Sequence, residues 1–237
     1  MKREENYILS KEEEDEFCLI LNYLEDYPDK CALIRKGCSP EEARKSIKDN
    51  TLQVKLKQKF AKGRKLNSPE PPKTKDDEVV LDILINYFGH GDKSREELSN
   101  IHKDAMGAEN FVGFLLEYFL FKKLKDHKWV WCSGSIVRSV DFIKFDKSVP
   151  VKFLQVKNRD NSENSSSQSV RDGTKIEKWF RCFSKKAGDN WSEFPEKGIE
   201  GLDEASFRRF VRNYCKERLE QLPIIKSSQC IQNAPHL

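Results

Sequence analysis

Apolar residues recur along this chain in two rhythms separated by polar breaks, and the changes divide it. From residue 10 to 62 the spacing is helical: Ser10 followed by Glu13 has the form of a capping box, and Phe17, Ile20, Leu21 and Leu24 then share one face. Asp26-Tyr27-Pro28 closes that helix. Ser39-Pro40 with Glu41 and Glu42 marks a second start, with proline at the first helical position and acids in the first turn. Between Gly63 and Asp77 the periodicity stops, and Pro69, Pro71 and Pro72 predict an exposed linker. Residues 79–88 resume as a short amphipathic helix, broken by Gly89-His90-Gly91-Asp92. Residues 107–124 are apolar around much of the circumference, as a helix packed centrally against a sheet requires; Glu109 and Glu117 are its polar exceptions.

The rhythm then changes to that of strands. Residues 129–132 form a short one and Gly134 turns the chain. Two further segments, 135–146 and 151–157, alternate or run apolar over strand-like lengths, with Lys147, Ser148 and Pro150 between them. After Lys157 comes a run too polar for any core, ending near Gly173, where Ile176, Trp179, Phe180 and Phe183 predict another helix. Residues 204–222 are amphipathic, with Phe207, Phe210, Val211, Tyr214, Leu219 and Leu222 on one side and five basic residues on the other. The expected fold class is α/β (α+β), a central mixed β-sheet flanked by helices. An N-terminal helical region (1–66) and a linker (67–78) precede the main domain (79–226), and a tail (227–237) follows it.

Composition narrows the function. Charged residues make up 35% of the 237 and aromatics 11%, enough for a soluble chain that still builds a core. The formal net charge of +4 is unevenly spread: residues 1–30 carry ten acids and four bases, which leaves about +10 on the rest. A basic body favours a polyanionic partner, although a solvated surface with a lysine excess has the same signature. The run Lys55, Lys57, Lys59, Lys62, Arg64 and Lys65 reads either as a DNA-backbone contact or as a solvated helix end. Seven cysteines without a CxxC pair match neither a disulfide framework nor a zinc site. No apolar leader or membrane span is evident, so a cytoplasmic location is expected.

The chemistry concentrates at Asp141, thirteen residues, then Gln155-Val156-Lys157. On adjacent strands these residues present a carboxylate, an amide oxygen and an ammonium together, since positions 155 and 157 share a face. Phosphodiester cleavage by water needs an oxygen-ligated divalent cation and neutralisation of charge on the phosphate oxygens. Asp141, Gln155 and the Val156 carbonyl suit the ligand set of Mg2+, and Lys157 suits the orientation or acidification of water. Gln155 in place of a carboxylate removes one charge from the cation's surroundings. Weaker metal affinity follows, with some reliance on another acid, Glu117 or Glu109. An acid followed loosely by polar-x-Lys also occurs in ordinary hairpins, so the neighbouring segments carry much of the argument.

A helix, three strands and Asp141, Gln155 and Lys157 at D...(D/E/Q)xK positions resemble the PD-(D/E)xK nuclease superfamily, with Val140 where that family has proline. Residues 155–167, 170–174 and 178–181 further resemble type II restriction endonucleases of the SinI group. That resemblance implies a restriction-endonuclease-like core and a Mg2+-dependent homodimer. Such an enzyme cuts both strands of double-stranded DNA at a GGWCC-like site and leaves 5′-phosphates, with a cognate DNA methyltransferase in the same system but not as a subunit. For DNA contact, Asn158, Arg159, Asn161, Asn164, Gln168 and Arg171 have the chemistry to read base edges, and Lys175, Lys178 and Arg181 to hold phosphates. A structure-specific repair nuclease and a non-catalytic DNA-binding protein are the competing readings.

Overall fold

Two N-terminal helices form where the caps predict, and a third follows them. The computed structural model describes residues 8–148, 150–160 and 175–221. Helix α1 (Lys11–Asp26) starts on the Ser10–Glu13 capping box, and α2 (Pro40–Ile47) on the equivalent Ser39–Glu42 box with Pro40 at its first turn. Helix α3 (Asn50–Arg64) is capped by Asp49. Residues 66–77 have no regular structure and run across the molecule, where Tyr214 Oη donates to the Asn67 carbonyl at 2.6 Å. After α4 (Glu78–Asn86) comes α5 (Arg95–Leu124), 30 residues long and begun by a third capping box, Ser94–Glu97. It thus starts well before Gly107. That glycine is inside the helix because the connecting backbone crosses it: a Cβ there would lie 2.9 Å from the Glu70 carbonyl oxygen.

The sheet has four strands in the order β1 (Trp129–Trp131), β2 (Phe142–Lys144), β3 (Lys152–Arg159) and β4 (Ile176–Cys182). The first two pairings are antiparallel and β3–β4 is parallel. This is the mixed sheet flanked by helices that the sequence led us to expect, with corrections in detail. The segment 135–146 is mostly not strand, because Ser135 and Ser139 have positive φ and only Phe142–Lys144 pairs in the sheet. Strand β3 runs two residues past Lys157.

Residues Ile176–Cys182 form β4 where a helix was expected. Trp179 is buried beside Val156 while Ile176 and Phe180 point to the opposite face, and a strand apolar on both faces mimics helical spacing.

Each sheet face has its own core. Helix α5 and α6 (Glu204–Gln221) cover one, packing Leu116, Phe119, Leu120, Phe207 and Tyr214 on Trp131, Phe142, Leu154, Val156 and Trp179. Helices α1–α3 cover the other, with Ile20, Leu24, Ile47, Leu56 and Phe60 on Val130, Cys132 and Ile143. The N-terminal helical region therefore shares a core with the sheet. No helix among the described residues is long and apolar enough to cross a membrane.

Candidate active site

The β1–β2 loop and the free length of β3 lie at the same end of the sheet. Phe142 pairs with Leu154, so Asp141, just before the last β2 partner, lies alongside the Leu154–Val156 stretch of β3. The Asp141 N–H donates to the Leu154 carbonyl at 2.9 Å, and its Oδ2 accepts from the Val156 N–H at 2.7 Å. Both bonds tie the aspartate to the edge of β3 that β2 has just left. Peptide groups alternate along a strand, so the Val156 carbonyl shares its N–H direction, toward Asp141 and beyond the last β2 partner. The same alternation puts Gln155 and Lys157 on one face of β3.

Gln155 is only 3% exposed, and its Oε1 has no hydrogen-bond partner among the described residues. A buried amide oxygen without a donor is costly, about 1–3 kcal/mol, unless a cation or water meets it.

Glu117 reaches the site from α5, where its Oε2 accepts the Trp131 indole N–H at 2.8 Å. Burial, and secondly the Asp141 charge, push its carboxyl up to about 8, against the opposing pull of the Trp131 hydrogen bond and Lys157. Asp141 is raised to about 6 by burial, against the Val156 N–H and Lys157. Two carboxylates crowded out of water beside one ammonium favour a proton or a cation between them. Glu109 is exposed and two helical turns away on α5, whereas Glu117 is close enough to Asp141 and Lys157 to interact with both.

These groups fit a hard divalent ion: two carboxylates, one orphaned amide oxygen and one peptide carbonyl. Among the described residues no three His, Cys, Asp or Glu side chains are placed to hold a metal ion by themselves.

The predicted DNA-contact residues separate. Asn158 and Arg159 end β3, and Lys175 is exposed just before β4. Asn161, Asn164, Gln168 and Arg171 lie outside the described residues. Lys178 is not on a helix but on β4, paired with Gln155. Arg181, also on β4, is turned inward: its guanidinium donates to both Glu204 oxygens at 2.7 and 2.8 Å and to Asn158 Oδ1 at 2.9 Å, and lies over the Phe207 ring. These bonds tie β3 to β4 and the sheet to α6.

Arg64 corrects another expectation. It is buried and faces inward; it pairs with Glu16 at 2.5 Å and donates to the Trp131 carbonyl at 3.0 Å and Ser133 Oγ at 3.3 Å. Its guanidinium lies 4.1 Å above the Phe60 ring. Gly63 and Gly134 allow this contact, because a Cβ on Gly63 would fall 2.2 Å from the Gly134 nitrogen. Arg64 and Glu16 thus hold the strand whose Trp131 holds Glu117. Sequence reading passed over Trp131, Glu16 and Arg64 in these roles; the one available signal was a glycine beside an arginine at the end of a helix.

The SinI restriction endonuclease family model matches residues 4–217. The chain belongs to that family. It is 39% identical over 208 residues to the type II restriction enzyme Eco47I of Escherichia coli, covering 87% of this chain and 89% of the relative. It is 38% identical over 211 residues to the type II restriction enzyme SinI of Salmonella infantis, covering 88% and 90%. The matched span includes the N-terminal helices, which share a core with the sheet.

Proposed function

We propose that this type II restriction endonuclease family member makes Mg2+-dependent double-strand cuts in DNA at a GGWCC-like site, leaving 5′-phosphates, and that Asp141, Gln155, Lys157 and Glu117 form its active site. The observation that carries the site assignment is the buried Gln155 oxygen, unpartnered among the described residues, between the two β3 residues that hydrogen-bond Asp141, with Glu117 and Lys157 close enough to act on the Asp141 charge. Asp141, Glu117, the Gln155 amide oxygen and the Val156 carbonyl would hold the ion. When bound, Mg2+ supplies charge neutralisation at the phosphate and lowers the pKa of water.

The chain does the positioning. The Val156 N–H and Trp131 indole each fix one carboxylate oxygen, leaving the other to face the reaction. Lys157 holds the attacking water or a non-bridging phosphate oxygen and offsets negative charge as it builds. The Arg64–Glu16 pair keeps the β1–β2 loop from shifting, and small displacements of positioned groups are costly to rate.

A two-fold dimer suits a near-palindromic site, each subunit cutting one strand. A homodimer, a cytoplasmic location and a separate protecting DNA methyltransferase belong to this reading. Asn158, Arg159, Asn161, Asn164, Gln168 and Arg171 are its candidate base readers, and Lys175 and Lys178 its candidate phosphate contacts. Arg181, held by Glu204, serves the fold first. Digestion of a defined plasmid with Mg2+ tests the proposal: discrete bands support it, and a smear or structure-dependent nicking overturns the restriction reading. Asp141→Ala and Lys157→Ala should each abolish cleavage while DNA binding persists; cutting at the original rate removes the site assignment.

A further inference from the structure

We propose that the cavity where the α1–α2 connection meets the β1–β2 loop binds a DNA backbone phosphate flanking the scissile one. This rests on the endonuclease reading and assigns to the N-terminal helices a part in holding the substrate. The cavity measures about 510 Å³, and Lys30, Arg35, Lys36, Arg44 and Arg138 line it. Asp26 and Asp29 also line it, but Asp29 is already paired with Lys30 at 3.0 Å. Five cations against two carboxylates leave an excess positive charge around a concave space, which attracts a compact anion. Arg35, Lys36 and Arg44 are exposed and take part in no ion pair found among the described residues, while the Arg138 Nε is buried without a hydrogen-bond partner there. Arginines grouped in this way suit a phosphate, which accepts two parallel N–H bonds from each guanidinium.

Position makes the phosphate one of DNA. The loop that carries Arg138 is stitched to the α1–α2 connection: the Arg138 N–H donates to the Lys30 carbonyl at 2.8 Å, Ala32 N–H to Ile136 at 3.0 Å, and Cys31 bridges Val137. Asp141 lies three residues further along the same loop, so its Cα is within about 10 Å of that of Arg138. Duplex DNA advances about 3.4 Å per nucleotide, so a strand cut beside Asp141 passes this cavity within a few nucleotides. The contact would hold register without reading sequence.

The test compares the unaltered protein, the double variant Arg35→Ala/Arg44→Ala and the control Lys216→Ala on the far helix α6. Binding to short duplexes with and without the cleaved site is measured with Ca2+ in place of Mg2+, across about 50 to 200 mM salt. Loss of one phosphate contact is expected to weaken binding by roughly tenfold for both duplexes and to reduce the salt slope by about one, with the site preference unchanged. Unchanged affinity and slope in the double variant would overturn the proposal, as would a loss confined to the duplex carrying the site. Circular dichroism of the double variant must match the unaltered protein, and a triple charge-preserving variant, Arg35→Lys/Lys36→Arg/Arg44→Lys, should retain the slope. Binding without cleavage by the unaltered protein would sink the endonuclease reading while the salt comparison still decides this one; absence of DNA binding would sink both.

Discussion

Replacing Gln155 with glutamate turns the orphaned oxygen of the site into a charge, and the geometry sets the size of the effect. Gln155 is 3% exposed and lies between Leu154 and Val156, the two β3 residues that hydrogen-bond Asp141, so a carboxylate at 155 would stand on the order of 5 Å from that of Asp141. At an effective dielectric constant of about 20, two unit charges at that separation repel by about 3 kcal/mol. Desolvation adds to this cost and the Lys157 ammonium offsets part of it, so the metal-free variant should lose about 2–4 kcal/mol near pH 8. For a chain of this size that lowers Tm by roughly 4–16 °C.

The pH dependence has a definite sign. Crowding raises the new carboxyl above its unfolded pKa of about 4.3, so the loss is absent below that value and grows as pH rises above it. Mg2+ should reverse the effect, since a third carboxylate strengthens the attraction for a hard cation. Thermal melts with EDTA and with Mg2+, at about pH 4 and pH 8, read out both halves. If the variant melts with the unaltered protein in EDTA at the higher pH and gains no extra Mg2+ stabilisation, Gln155 does not share a cation with Asp141.

Metal binding should also depend on pH in the unaltered protein. Glu117 is raised to about 8 and Asp141 to about 6, so a cation must displace protons below those values, and affinity should climb at least roughly tenfold from about pH 6 to 7, by about fivefold more from 7 to 8, and level off above. Calorimetric Ca2+ titrations check this, and a flat profile would contradict it. Trp131→Phe keeps the ring but removes the 2.8 Å hydrogen bond to Glu117, at a cost of about 1–3 kcal/mol to the ionised form. The pH profile of cleavage should move upward, with activity partly restored at high pH, whereas an unmoved profile would make the indole contact merely structural. Arg64→Ala leaves Glu16 buried without a counter-charge and should cost about 3–5 kcal/mol in chemical denaturation. Arg64→Met combined with Glu16→Gln should recover much of that stability; no recovery would mean the bond to the Trp131 carbonyl dominates.

Local order was written in the sequence. Ser10, Ser39 and Pro40 announced their helices because a cap is settled within four residues, and Asp141, Gln155 and Lys157 were readable because adjacent antiparallel strands joined by a short turn nearly fix their own register. What depended on distant surfaces was not legible. Whether Ile176–Cys182 made a helix or a strand turned on the free edge of β3, and apolar side chains on both faces satisfied either pattern. Glu117 and Glu109 lie on one helix with similar flanks, and only the approach of Trp131 and Asp141 set one apart. Arg64 looked like one more surface cation, yet α1, α3 and the β1–β2 loop together bury it against Glu16. Periodicity and caps reflect each residue's own neighbours along the chain, whereas burial, ion pairing and a crowded carboxylate arise only when segments far apart in sequence exclude water between them.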